Sequence, residues 1–199
     1  VEAKFTPLTI RSGVEDRFDI IAPHYALYVR KQLEIMFGPE QVLRGGLTVY
    51  TALDLELQGQ IECVARAHIA RLSGELGTGL PADEAASCTA LEFLRPLPPA
   101  YAGEDHNVSN ASIVAIDPRT GEIRAMVGSL DYWNEAIDGS FNVAVDGLRQ
   151  PGSSFKPFTY LTGLSKGYTA ATMLLDVETD FGTPYNGIAY VPQNYDSRF

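Results

Sequence analysis

Two short apolar runs on either side of a five-residue turn constrain this chain most. Ser112-Ile113-Val114-Ala115-Ile116 reads as a strand, and Glu122-Ile123-Arg124-Ala125-Met126-Val127 reads as its return. Between them lies Asp117-Pro118-Arg119-Thr120-Gly121. Pro118 presets φ for a turn, and Gly121 tolerates positive φ. The pattern predicts an antiparallel β-hairpin ended by Gly128, and its apolar character predicts a central place in a sheet.

Helical signals precede the hairpin. Ala22-Pro23 opens a run in which Tyr25, Val29, Leu33 and Met36 or Phe37 recur at helical spacing, and Gly38-Pro39 stops it. Residues 1–22 read as a connecting segment. After the Gly45-Gly46 turn, Leu47-Thr48-Val49-Tyr50-Thr51 alternates and predicts a strand. Asp54 is placed to cap a helix whose face carries Leu57, Ile61, Val64, Ala65, His68, Ile69 and Leu72. His68 on that stripe reads as a boundary or core histidine. Residues 73–107 hold four Gly and four Pro, which predicts a loop-rich, low-order insertion with a short helix near Asp83 to Ala90.

Composition narrows the function classes. Hydrophobic residues make up 45% of the 199 positions and charged ones only 20%, enough for a real core and too few charges for a disordered chain. The net charge of −10 repels polyphosphate and weighs against nucleic acid as a partner. Cys63 and Cys88 lack metal spacing, and His24, His68 and His106 form no ligand pattern, so neither a metal nor another cofactor is expected. The cysteines leave a disulfide open, with two partly buried thiols as the default. No run of 18 apolar residues would span a bilayer.

The chemistry concentrates at Arg149-Gln150-Pro151-Gly152-Ser153-Ser154-Phe155-Lys156-Pro157-Phe158. A serine hydroxyl needs a base to act as a nucleophile. Residues three apart share a helix face, which puts the Lys156 amine within reach of the Ser153 oxygen. Lysine is a base only when neutral, so desolvation or a neighbouring positive charge must lower its pKa. Gly152-Ser153 opens the predicted helix, which runs to about Lys166 and ends at Gly167. A free backbone N–H there would help hold an oxyanion, with Gly152 and Ser153 as support. Pro157 has no N–H, so the Ser153 carbonyl receives no ordinary helical bond and the helix start should be irregular.

The S-x-x-K pattern alone is a short match, but the string around it closely resembles the nucleophile segment of class A penicillin-binding proteins. Further motifs occur in the family's order. Ala22-Pro23-His24-Tyr25 with Tyr28-Val29 looks like its linker helix. Gly45-Gly46-Leu47-Thr48-Val49-Tyr50-Thr51-Ala52-Leu53-Asp54 is similar to its strand and turn, with Ala52 in place of the usual Thr. Ala115-Ile116-Asp117-Pro118, Thr120-Gly121-Glu122-Ile123 and Ala125-Met126-Val127-Gly128 match its hairpin. Phe141-Asn142 matches the pair upstream of the nucleophile, and Asn194-Tyr195-Asp196 the stretch downstream.

The resemblance implies an α+β fold in which an antiparallel sheet packs on helices, a partial penicillin-binding, β-lactamase-like transpeptidase fold with a small linker unit. It implies a linker region at 1–50 between glycosyltransferase and transpeptidase. A helix and loop-rich insertion follows at 51–107, then the N-terminal half of the transpeptidase domain at 108–199. Ser153 would be acylated by D-Ala-D-Ala stem peptides of peptidoglycan or by β-lactams, with Lys156 as base and Asn142 and Phe155 adjacent to substrate. Other cell-wall synthesis proteins are expected partners. The family also uses S-x-N and K-T-G after the nucleophile helix, and neither occurs between Lys156 and Phe199. Ser140-Phe141-Asn142 has the S-x-N letters but lies upstream of Ser153. The expectation is therefore a fragment that does not catalyse alone, preceded in its parent by a glycosyltransferase domain and a membrane anchor on the extracytoplasmic face of the cell membrane. The competing readings are a non-catalytic cell-wall scaffold and a penicillin-sensing or carboxypeptidase domain that retains the S-x-x-K segment. The motifs at 22–54 favour the class A enzyme.

Overall fold

A computed structural model describes residues 20–75, 77–183 and 187–194. The chain divides into two compact units, Val1–Leu148 and Arg149–Phe199. Most of the predicted connecting segment 1–22, together with Tyr195 and Asp196, lies outside the described residues. Among the described residues no helix is long and apolar enough to cross a membrane.

The first unit begins with α1 (Pro23–Phe37), which has Pro23 in its first turn as expected. His24 and Tyr25 are buried, whereas Met36 and Phe37 at the far end of the predicted stripe are exposed. Gly38, at φ 84°, ends α1, and Pro39 immediately starts α2 (Pro39–Arg44). The Gly-Pro pair thus turns the chain rather than ending helical structure, because proline's fixed φ suits a first helical turn.

The strand expected at Leu47–Thr51 does not form. The segment has no partner strand among the described residues, and Tyr50 stands almost fully out in solvent. An alternating sequence supplies a face, but a strand also needs a ladder partner.

Asp54 caps α3 (Leu55–Leu72) by accepting the Leu57 N–H at 3.1 Å. Arg124 Nη2 on the hairpin donates to the other Asp54 oxygen at 3.2 Å. These bonds, the Leu57 N–H first, hold the Asp54 carboxyl below its ordinary pKa. The most buried residues of α3 are Gln58, Cys63, Ala65, Ala67 and Ile69, while Leu57, Ile61, Val64 and Leu72 are half-buried. The helix is covered on two sides, by the hairpin and by the insertion, so burial does not follow one stripe.

The insertion contains α4 (Ala82–Ser87) and a 3-10 turn over Thr89–Phe93. It is irregular, as expected, but it is fastened to α3. Cys63 and Cys88 form a disulfide with their Cα atoms 6.2 Å apart, and both are buried. This overturns the default of two separate thiols: the short helix brings Cys88 back over the α3 face that carries Cys63. Gln60 adds bonds to the Ser87 carbonyl (3.1 Å) and from the Ala90 N–H (2.9 Å), and Arg66 pairs with Glu84.

The hairpin forms as predicted, from β1 (Ile113–Ile116) and β2 (Ile123–Val127). They pair antiparallel, with Ile113 opposite Val127 and an irregularity between Ala115 and Ile116. The turn closes through Gly121 N–H to the Asp117 carbonyl (2.8 Å), with Gly121 at φ 78°. Ala125, Met126 and Val127 are buried, but Ile116 on β1 is 57% exposed. The hairpin is the whole sheet among the described residues, so the predicted central place in a larger sheet is not seen there. Met126 meets Ala22 and Tyr25 of the α1 end in the core, with Tyr28, Val29, Leu53 and Ile123 around them.

Candidate active-site segment

Ser153 and Lys156 lie in the second unit. Pro151 is in the αR region and Gly152 has φ +53°, a left-handed conformation that suits glycine at the entry to a helix. Gly152–Phe155 form a 3-10 turn that runs directly into α6 (Lys156–Ser165), with Pro157 in its first turn. The Lys156 N–H donates to the Ser153 carbonyl. The expected irregularity is therefore real and has a definite form: Pro157 cannot supply the α-helical bond, so the residue before it supplies a 3-10 one. In that tighter turn, residues at i and i+3 eclipse, which stacks Lys156 on the same side as Ser153.

The Ser153 N–H has no backbone partner among the described residues, as expected of a donor at a helix start. Ser153 and Lys156 are both exposed. The described residues thus provide none of the desolvation that a lysine base requires. Phe155 is 56% exposed, with its ring 5.8 Å from that of Phe158. Helix α6 ends at Lys166 and Gly167, where the Tyr168 N–H bonds back to the Gly163 carbonyl at 3.1 Å and Gly167 has φ 93°. Phe158, Tyr160, Leu161 and Leu164 gather on one side of α6, opposite Thr159, Thr162 and Gly163, and all four are exposed.

Asn142 belongs to the first unit. Its Oδ1 accepts the Ala144 N–H at 3.1 Å and caps α5 (Val143–Asp146), while its Nδ2 faces Met126 Sδ. Both ends of the amide have local partners, which gives Asn142 a structural task there. Asp180 caps a loop by accepting the Gly182 N–H, and Asp176 accepts from Asn194.

Two features were not read from the sequence. Gln58, buried in α3, takes the Met126 N–H on Oε1 at 2.8 Å and donates through Nε2 to the Met126 carbonyl at 3.0 Å. Its amide therefore pairs with β2 as a neighbouring strand would. His24 reaches across from α1 to buried Ser129, and Tyr132 packs edge-on against it at 5.1 Å. Neither position has a local pattern that would mark it, since both partners are distant in sequence.

Residues 111–185, which hold the hairpin, the following loop and the Ser153 segment, match the penicillin-binding protein transpeptidase domain. More particularly, the chain is similar to Penicillin-binding protein 1A of Neisseria cinerea, at 43% identity over 90 residues, which is 45% of this chain and 11% of that protein. It is 44% identical over 89 residues to Penicillin-binding protein 1A of Neisseria flavescens. Penicillin-binding protein 2D of Bacillus subtilis aligns over 180 residues, 89% of this chain and 20% of that protein, at 29% identity. These matches bear out the class A resemblance and the partial α+β fold. The chain spans about a tenth to a fifth of the length of these relatives.

Proposed function

We propose that this chain carries the nucleophile of a serine-type D,D-transpeptidase that cross-links peptidoglycan. Ser153 Oγ attacks the carbonyl of the penultimate D-Ala of a stem peptide, its proton passes to the neutral Lys156 amine, and the terminal D-Ala leaves. An amine from a second stem peptide then takes the acyl group and frees Ser153. β-Lactams acylate the same oxygen. Gly152 and the free Ser153 N–H support the oxyanion, and Phe155 borders the substrate; Asn142 holds the preceding loop. The observation that carries this reading is the 3-10 turn at Gly152–Phe155, in which the Ser153 carbonyl accepts the Lys156 N–H, within the matched segment.

In the whole protein, residues 1–50 link a glycosyltransferase to this domain, 51–107 form the insertion, and a membrane anchor holds the assembly at the extracytoplasmic face. The buried Cys63–Cys88 disulfide supports that location, because such bonds persist in oxidising compartments. The test is labelling of the full-length protein with a fluorescent penicillin. Wild type takes up label, Ser153→Ala does not, and persistent label on Ser153→Ala overturns the assignment.

A further inference from the structure

Two Asn-x-Ser triplets stand back to back before the hairpin, Asn107-Val108-Ser109 and Asn110-Ala111-Ser112. Neither has proline in the middle, so both have the letters of an N-glycosylation acceptor. The letters are not enough, because the group that is modified is the side-chain amide nitrogen and an enzyme must reach it. The structure separates the two triplets on that point.

Asn110 is committed. It is half-buried, its Nδ2 donates to the Ile137 carbonyl at 3.2 Å, and its Oδ1 accepts the Leu130 N–H at 2.9 Å. Both ends of the amide hold the loop after β2 in place. Asn107 is the opposite case. It is exposed, with its backbone at φ 55°, a left-handed conformation that asparagine tolerates better than most residues. Its N–H closes a local turn on Asp105 Oδ1 at 2.8 Å. Its side-chain amide and the hydroxyl of exposed Ser109 have no hydrogen-bond partner among the described residues.

The triplet is also easy to lift. Residues 107–109 lie outside helix and strand. The chain is pinned just before them by the His106 N–H on the Leu72 carbonyl at 2.8 Å, and within them by Ser73 Oγ on the Val108 carbonyl at 3.1 Å. Entry into an enzyme cleft breaks the Ser73–Val108 bond and disturbs no regular element, which suits an exposed loop to modification.

We propose that Asn107 is an acceptor site for an N-linked glycan and that Asn110 is not. The donor is an oligosaccharide carried on a lipid diphosphate, and the catalyst is an oligosaccharyltransferase. The bond from Asn107 Nδ2 to the sugar C1 forms, and the C1–O bond to the diphosphate breaks. The lipid diphosphate leaves with the electron pair, and the amide proton passes to solvent. Ser109 supplies the hydroxyl by which the triplet is recognised. The inference rests on the extracytoplasmic location proposed above, which the buried Cys63–Cys88 disulfide supports, and not on the chemistry at Ser153.

The test pairs the folded protein with an unfolded control. The full-length protein and a synthetic peptide of residues 101–112 are each incubated with an oligosaccharyltransferase that accepts Asn-x-Ser and with its lipid-diphosphate oligosaccharide, and the modified asparagine is located by peptide mass spectrometry. The folded protein should carry the glycan on Asn107 and none on Asn110. Asn107→Gln and Ser109→Ala should each abolish it, and Ser112→Ala should leave it at the wild-type level. In the peptide, Asn107→Gln should still allow modification at Asn110, because only the fold withholds that amide. A folded protein bare at Asn107, a wild-type peptide bare at Asn107, or a glycan on Asn110 of the folded protein overturns the proposal. Bare Asn107 in protein isolated from its own cell envelope overturns it as a site used in the cell. Penicillin labelling of the same full-length protein is scored separately. Label without glycan counts against this site alone, and glycan without label supports the site while counting against the transpeptidase reading.

Discussion

His24 Nε2 lies 2.8 Å from Ser129 Oγ in the interior of the first unit, joining the start of α1 to the end of the hairpin. Ser129 Oγ donates its proton to the Gly139 carbonyl at 2.6 Å, so His24 is the donor in their contact and carries its proton on Nε2. Burial is the main influence on this imidazole and pushes its pKa below 6.5, while the Gly139 carbonyl opposes the shift.

The sign of the pH dependence follows. The unfolded chain takes up the proton first, so stability conferred by neutral His24 is complete above the ordinary imidazole value, about 6.5. It declines as pH falls below that value and is lost once pH passes the lower folded pKa. Thermal unfolding measured at intervals from about pH 8 to pH 5 should show Tm falling on the acid side. His24→Gln should flatten that slope, and an unchanged slope would remove His24 as its source.

Gly128 sits against the same histidine. A Cβ built on it would lie 2.6 Å from His24 Nδ1 and 2.6 Å from Asn142 Oδ1. The ring is buried and the amide is committed to its cap, so neither has room to withdraw. Gly128→Ala should destabilise the chain by about 1–3 kcal/mol in urea unfolding, the usual cost of overpacking. A value near zero would mean that the loop relaxes freely.

Gln58→Leu should be among the more damaging helix substitutions. The side chain keeps similar bulk but leaves the Met126 N–H and carbonyl without their partner, each a loss of about 1–3 kcal/mol when buried. Hydrogen exchange should show the Met126 amide losing protection before the rest of β2. Equal protection in mutant and wild type would show that another group serves that amide.

Reduction of the Cys63–Cys88 bond releases a loop closed over a sequence separation of 25. Loop-closure entropy puts the stabilisation at about 3.5 kcal/mol. A reducing agent, or Cys88→Ser, should lower Tm and expose residues 73–107 to proteolysis while α3 persists. Resistance of the insertion after reduction would assign its anchoring to Gln60 and Arg66 instead.

The hairpin, α1 and α3 with its Asp54 cap, and the turn opening α6 were legible because their signals are local: period, a capping carboxylate, a proline or a glycine at a fixed offset. The nucleophile string was legible for the same reason, since Ser153 and Lys156 are three residues apart and Pro157 dictates the turn between them. The sequence by itself thus determined which short elements form and which pair carries the candidate chemistry. Tertiary structure decided the rest. Leu47–Thr51 has the alternation of a strand but no ladder partner among the described residues, so its hydrogen bonds are not made within a sheet there. Cys63 and Cys88 pair because α4 folds back on α3, and Gln58 is buried because β2 offers it both halves of a peptide group. His24 meets Ser129 across 105 positions. Each of these depends on a partner distant in the chain, and no local pattern encodes such a partner.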